Sequence, residues 1–272
     1  MKIWRKSTGH LYEGFLTLVI NLCQRKRGVK YKKIRLNGIK ALVSEYGQIS
    51  DKNVILYIHG GGFVSGSALA SKGYSSMLAK YSGCRVIAVN YSLAPEHAFP
   101  RGFNDCYNAF LEITRLYPEA KITLVGESAG ANLCLALALK VKEMGKVCCV
   151  LVYSPIVDFT GSLDRTEHKV DDFTVKEGCL KPLNQIYVAD NPYISPLFGD
   201  FSGFPPTYIT CDYNETLYAD AKALYEKCEQ SKVDVELVEV KGTFHAFATI
   251  GTGTPETKQI LEENVAFMKK YI

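Results

Sequence analysis

The sequence predicts an α/β fold, a mostly parallel eight-stranded sheet with helices on both faces and a small cap. Three observations carry that expectation. Short β-branched apolar runs alternate with stretches of helical periodicity along most of the chain. Asn37-Gly38 sits between two alternating runs near the start, a strong hairpin signal because both turn positions need positive φ. The run Gly126-Glu127-Ser128-Ala129-Gly130 falls between an apolar strand-like segment and an Ala/Leu-rich helical one.

In chain order, Tyr31–Tyr46 reads as an antiparallel strand pair around Asn37-Gly38, and Asn53–Ile58 as a third strand buried on both faces. Leu69–Tyr81 has helical spacing, Cys84–Asn90 is strand four and Phe103–Tyr117 is a helix. Lys121–Val125, opened by Pro118, is strand five, and Ala131–Lys142 is free of Gly and Pro and reads as a helix. Val147–Tyr153, Thr207–Cys211 and Val235–Val240 are strands six to eight, with a last helix over Pro255–Tyr271. Residues 156–205 are too long for a simple crossover and rich in charge and aromatics. Together with about residues 1–28 they are expected to cap the carboxyl ends of the strands, so that 1–272 is a single domain.

Composition narrows the class. With 272 residues, 47% of them hydrophobic, the chain can bury a large core. A net charge of +4 is modest, and the basic run Arg25-Lys26-Arg27 with Lys30, Lys32, Lys33 and Arg35 lacks the interleaved aromatics that nucleic acid favours. It reads as solvated surface, with no nucleic-acid partner expected. Nine scattered cysteines without a C-x-x-C or metal spacing point to free thiols in a reducing compartment, the cytoplasm, and to no metal site. Leu11–Cys23 follows basic residues but contains Glu13 and Asn21, is shorter than a membrane span and lacks a cleavage site. It reads as a packed helix without stable membrane insertion; self-association stays open.

The candidate chemistry starts from Ser128, which a strand-to-helix corner lifts clear of the sheet edge. A serine hydroxyl needs a base, and the base an orienting acid. Of five histidines, His10 lies in the N-terminal segment, His168 in the expected cap, and His59 and His97 in sequence motifs of their own. His245, on the loop after strand eight, completes the order serine, acid, histidine. The acid belongs after strand seven, where Asp212, Glu215 and Asp220 all qualify by type. Asp212 could instead cap the next helix, and Asp220 is placed a turn or more into it. Glu215, thirty positions before His245, is preferred. His59-Gly60-Gly61-Gly62-Phe63 follows strand three, where bare amides can approach a ligand; Gly61 and Gly62, with Ala129, are the expected oxyanion donors, and His59 a pin for the loop.

These segments, with Tyr91-Ser92-Leu93-Ala94-Pro95-Glu96-His97-Ala98-Phe99-Pro100, Ser154-Pro155-Ile156-Val157-Asp158 and Ser195-Pro196-Leu197, resemble the hormone-sensitive-lipase-like branch of the α/β-hydrolases from about residue 53 onward. The resemblance implies a serine carboxylesterase acting on short-chain acyl esters without a cofactor, its partner being the small ester itself, beneath a cap built from the N-terminus and the segment after strand six. Four positions depart from the usual pattern. Glu215-Thr216-Leu217 stands for Asp-Pro-Leu, Glu127 for Asp, Ser92 for Arg, and Ala246 for Gly. A non-catalytic small-molecule receptor, an amidase or thioesterase with the same triad, and a membrane or lipid-droplet lipase are the competing readings.

Overall fold

A computed structural model describes residues 26–166, 175, 189 and 191–272. The helix expected over Leu11–Cys23, His10, His168, and the cap aromatics Phe173 and Tyr187 lie outside the described residues. Eight strands form one sheet, β1 (Val29–Leu36), β2 (Ile39–Tyr46), β3 (Asn53–Ile58), β4 (Arg85–Val89), β5 (Lys121–Glu127), β6 (Val147–Tyr153), β7 (Thr207–Asp212) and β8 (Val235–Val240), in the order β1-β2-β4-β3-β5-β6-β7-β8. β1 pairs antiparallel with β2, and β2 with β4; every later pairing is parallel. The Asn37-Gly38 turn has positive φ at both residues, 47° and 87°.

Side chains alternate across the strands and sort the helices into two layers. On β3, Val54, Leu56 and Ile58 join one core with α2 (Arg101–Leu116), α3 (Ala129–Val141) and α4 (Tyr218–Gln230). Ile55 and Tyr57 point the other way, into a core with α1 (Lys72–Ser82) and α5 (Pro255–Lys269). α3 is buried nearly all round, which its unbroken Ala/Leu composition permits. The basic residues Lys30, Lys32, Lys33 and Arg35 are exposed on β1, the edge of the sheet, where charge also discourages strand addition.

α3 begins at Ala129, two residues before the sequence-based start, because Gly130 belongs to its first turn. A methyl group at Gly130 would stand 2.1 Å from the Ile58 carbonyl oxygen and 2.5 Å from that of His59. Only a residue without Cβ lets the helix dock this tightly on the end of β3.

The described ends of the segment expected to form the cap join the body through polar anchors. Asn132 Nδ2 on α3 donates to the carbonyls of Ile156 (2.9 Å) and Ile194 (2.8 Å), holding both ends of the excursion with one amide. Asp220 corrects the sequence-based placement: it is the third residue of α4, in the first turn rather than beyond it. It accepts from Arg165 Nε (2.6 Å) and Nη2 (2.8 Å) and from the Val157 amide (2.9 Å). Burial raises the Asp220 pKa against the pull of Arg165.

Gly130→Ala is expected to cost at least about 2 kcal/mol, because backbone atoms rather than a flexible side chain must give way. Thermal unfolding checks this; an unshifted midpoint would contradict the packing described.

Candidate active site

Ser128 is the single residue between β5 and α3, with φ 53° and ψ −121°. Such a backbone costs about 1–3 kcal/mol in a residue with a Cβ and persists only when its surroundings impose it. Here they do. The Ser128 amide donates to the Tyr153 carbonyl at 2.9 Å, its own carbonyl accepts from Asn132 N at 3.1 Å, and Gly126 and Glu127 are registered against Val152 and Tyr153.

His245 lies on the loop after β8 with its Nδ1 3.0 Å from Glu215 Oε2, and both side chains are buried, at 9% and 1% exposure. When Nδ1–H donates to the carboxylate, Nε2 becomes the proton acceptor. Asp212 does something different. Its Oδ2 accepts from the Thr243 amide (2.6 Å) and hydroxyl (2.5 Å), and its Oδ1 from Asn214 N (2.7 Å). It therefore fastens the histidine loop, and it does not cap α4, whose N-cap is Leu217. Of the three acids, the fold brings Glu215 to His245, Asp212 to the loop two residues upstream, and Asp220 to the cap.

Sequence reasoning missed one contributor to this loop. Ala246 takes a left-handed conformation (φ 58°), and its amide donates to Ser154 Oγ at 2.8 Å. Ser154, at the end of β6 with φ 47°, is in turn held by its own amide to the Thr210 carbonyl (2.7 Å). The only sign in the sequence was that Ser154-Pro155 recurs as a motif in the family resembled.

The glycine loop after β3 folds as a set of held peptide planes. A peptide unit is planar and trans, so fixing its carbonyl aims its N–H in the opposite direction. The Gly60 carbonyl lies 2.8 Å from His59 Nδ1, which directs the Gly61 N–H. Burial lowers the His59 pKa to about 4, so the ring is neutral and its Nδ1–H can supply that bond. The ring stacks on Tyr91 at 4.3 Å, and Tyr91 donates its hydroxyl to the His59 carbonyl (2.9 Å). The Gly61 carbonyl accepts from Val64 N (3.1 Å), Ser65 N (3.0 Å) and Ser65 Oγ (3.0 Å), which directs the Gly62 N–H. Gly61 has φ 109°, and a Cβ there would meet the Ser65 carbonyl oxygen at 2.5 Å. The Ala129 amide shares its plane with the Ser128 carbonyl, which α3 already holds.

Beside this loop a narrow pocket is lined by Phe63, Tyr91, Phe99, Phe103, Phe159 and Tyr193, among others. Of the cap aromatics, Phe159 and Tyr193 face it, Phe201 packs on Phe204 in the core, and Phe198 is exposed. His97 also lines it, and Ser128 does not. Among the described residues no group of three or more His, Cys, Asp or Glu could hold a metal ion, and no helix is long and apolar enough to cross a membrane.

Comparison with known proteins gives a consistent picture. The profile of a family described as having the alpha/beta hydrolase fold matches residues 55–249. An esterase from Acinetobacter venetianus is 32% identical over 250 residues, covering 88% of this chain and 82% of that protein. An acetyl-hydrolase from Streptomyces hygroscopicus is 28% identical over 227 residues, 80% of this chain and 76% of its own. Among solved structures, a hormone-sensitive lipase from a metagenome library superimposes with a TM-score of 0.86 at 29% identity, covering 95% of this chain and 93% of that one. A hyperthermophilic esterase from the archaeon Pyrobaculum calidifontis gives 0.85 at 26% identity, with 96% and 91% covered.

The pairing of His245 with Glu215 has a direct spectroscopic signature. A far-downfield proton resonance from His245 Nδ1–H is expected in the native protein, lost in Glu215→Ala and retained in Asp212→Ala. Loss in the Asp212 variant alone would transfer the pairing to that residue.

Proposed function

This chain belongs to the α/β-hydrolase-fold family, in its hormone-sensitive-lipase-like branch, and from that premise we propose that it is a serine carboxylesterase hydrolysing short-chain acyl esters through an acyl-enzyme. Relatives named esterase and acetyl-hydrolase support ester hydrolysis as the reaction class. The observation that carries the mechanism is the buried His245–Glu215 pair in a fold that also supplies a strained serine and three aimed amides.

In the reaction, Ser128 Oγ attacks the ester carbonyl carbon as His245 Nε2 takes its proton, and Glu215 stabilises the imidazolium and holds its orientation. The carbonyl π electrons move onto oxygen, and the Gly61, Gly62 and Ala129 amides receive that charge without having to reorganise. The tetrahedral species collapses, the C–O bond to the alcohol breaks, and His245 returns the proton to the leaving alkoxide. Water, deprotonated by His245, then attacks the acyl carbon; the acid departs and Ser128 regains its proton. The short acyl group rests on the family resemblance and on a relative named acetyl-hydrolase. The seven described cysteines are free and buried, in keeping with a cytoplasmic enzyme. A receptor function on the same scaffold would have no use for a base held against a carboxylate, and the presence of that pair favours catalysis.

Ser128→Ala is expected to lower p-nitrophenyl acetate turnover by at least about 10³-fold while circular dichroism stays native. Undiminished turnover in a folded variant would end the proposal.

A further inference from the structure

Two segments far apart in sequence have to agree in position for this site to work. Gly61 and Gly62 come from the loop after β3, whereas Ser128 and the Ala129 amide come from the corner after β5. The β3–β5 ladder aligns them only as far as the Ile58–Gly126 pair. Beyond it the contact passes to side chains. Glu127, the first of the two x positions of the Gly-x-Ser-x-Gly corner, reaches across, and its Oε1 accepts the Gly60 amide at 2.8 Å. Its Oε2 is bonded to the Tyr57 hydroxyl, which rises from β3 itself. The fit is tight. A methyl group on Gly60 would stand 2.9 Å from the Glu127 carbonyl oxygen, 3.2 Å from its Cγ and 3.3 Å from Ser128 Cβ.

We propose that Glu127 is a positioning residue, a strut whose carboxyl sets the distance between the oxyanion loop and the nucleophile corner. Its bond to Gly60 N fixes the peptide plane that immediately precedes the donor planes, and Tyr91 holds the carbonyl end of that same plane through His59 O. The inference rests on the serine-esterase reading and adds to it. Glu127 touches no reacting atom; it acts through Gly60 on where Gly61 and Gly62 lie. The carboxyl is enclosed, although the residue retains some surface, and loss of solvation raises its pKa to about 7. A neutral amide of the same length can therefore reproduce the strut, which makes Gln the conservative substitution.

The discriminating variants are Glu127→Leu, which keeps the bulk and removes both oxygens, and Glu127→Gln, which keeps an acceptor for Gly60. Misplacing catalytic groups by a fraction of an ångström to an ångström costs on the order of 10- to 100-fold in rate. Glu127→Leu is expected to lose kcat for p-nitrophenyl acetate by about that factor, with KM nearly unchanged. Affinity for a phenylboronic acid, which becomes a tetrahedral anion on Ser128, should fall in step with kcat. A side chain that merely stabilised the fold would move the melting temperature and leave that parallel loss absent. Glu127→Gln should restore most of both. If the Leu variant fails to fold, Tyr57→Phe takes its place, with a smaller loss of kcat at constant KM. Full kcat in the folded Leu variant (or, failing that, in Tyr57→Phe), or a Gln variant as slow as Leu, would overturn the proposal. Ser128→Ala run alongside separates the two ideas: turnover in that variant defeats the esterase reading itself, whereas an inactive Ser128→Ala beside a fully active Glu127→Leu defeats only the strut.

Discussion

An amide group is aimed by holding its carbonyl, and each amide assigned here to the oxyanion is held in that way. His59 holds the Gly60 carbonyl, the turn through Val64 and Ser65 holds that of Gly61, and the first turn of α3 holds that of Ser128. Donors fixed before charge develops need no reorganisation when it does, which is the largest single source of rate in acyl transfer. The rest of the structure serves this requirement. His59 is buried against Tyr91, its Nδ1 stays on the Gly60 carbonyl, and burial lowers its pKa to about 4, so the loop carries no buried positive charge near neutral pH. The close approach of Gly130 to the end of β3 brings the two donor segments together in the first place.

The histidine loop shows the same economy on the opposite side. Thr243 and Ala246 flank His245, and both are held from the sheet ends, by Asp212 at the end of β7 and Ser154 at the end of β6. The imidazole is thus positioned by its backbone as well as by Glu215. Cap anchoring uses groups of a different kind. Asp220 is fully buried and Arg165 largely so, so removing one partner would leave the other without its counter-charge, and the pair ties the described chain after β6 to α4 more than it adds net stability.

Much of this was readable from the sequence because strong periodicity and turn chemistry mark it. The eight strands, the Asn37-Gly38 hairpin and the serine at a strand-to-helix corner all leave local signals. Strand order does not; that β4 lies between β2 and β3 depends on long-range packing. The start of α3 was misjudged because glycine has poor helix propensity, and close docking on β3 outweighs that deficit. Asp220 falls in the first turn because α4 begins at Tyr218, after an N-cap, Leu217, with no side-chain cap bond to announce it. The separate tasks of Asp212 and Glu215 were out of reach of spacing arguments. Turn bonds from Glu215 N to the Asp212 carbonyl and from Tyr218 N to the Glu215 carbonyl bend the chain so that the two acids meet different partners. Ser154 carried no chemical signal, since its role depends on a residue ninety-two positions away.

The proposed hydrolysis requires a common point at which hydroxyl, imidazole and three amides meet. A crystal structure of the protein treated with a p-nitrophenyl phosphonate tests that point directly. The phosphorus should be bonded to Ser128 Oγ, with a phosphonyl oxygen about 2.7–3.1 Å from the Gly61, Gly62 and Ala129 nitrogens and His245 Nε2 turned toward the ester oxygen. Phosphorus on another residue, or an oxygen on Ser128 facing away from all three amides, would contradict it.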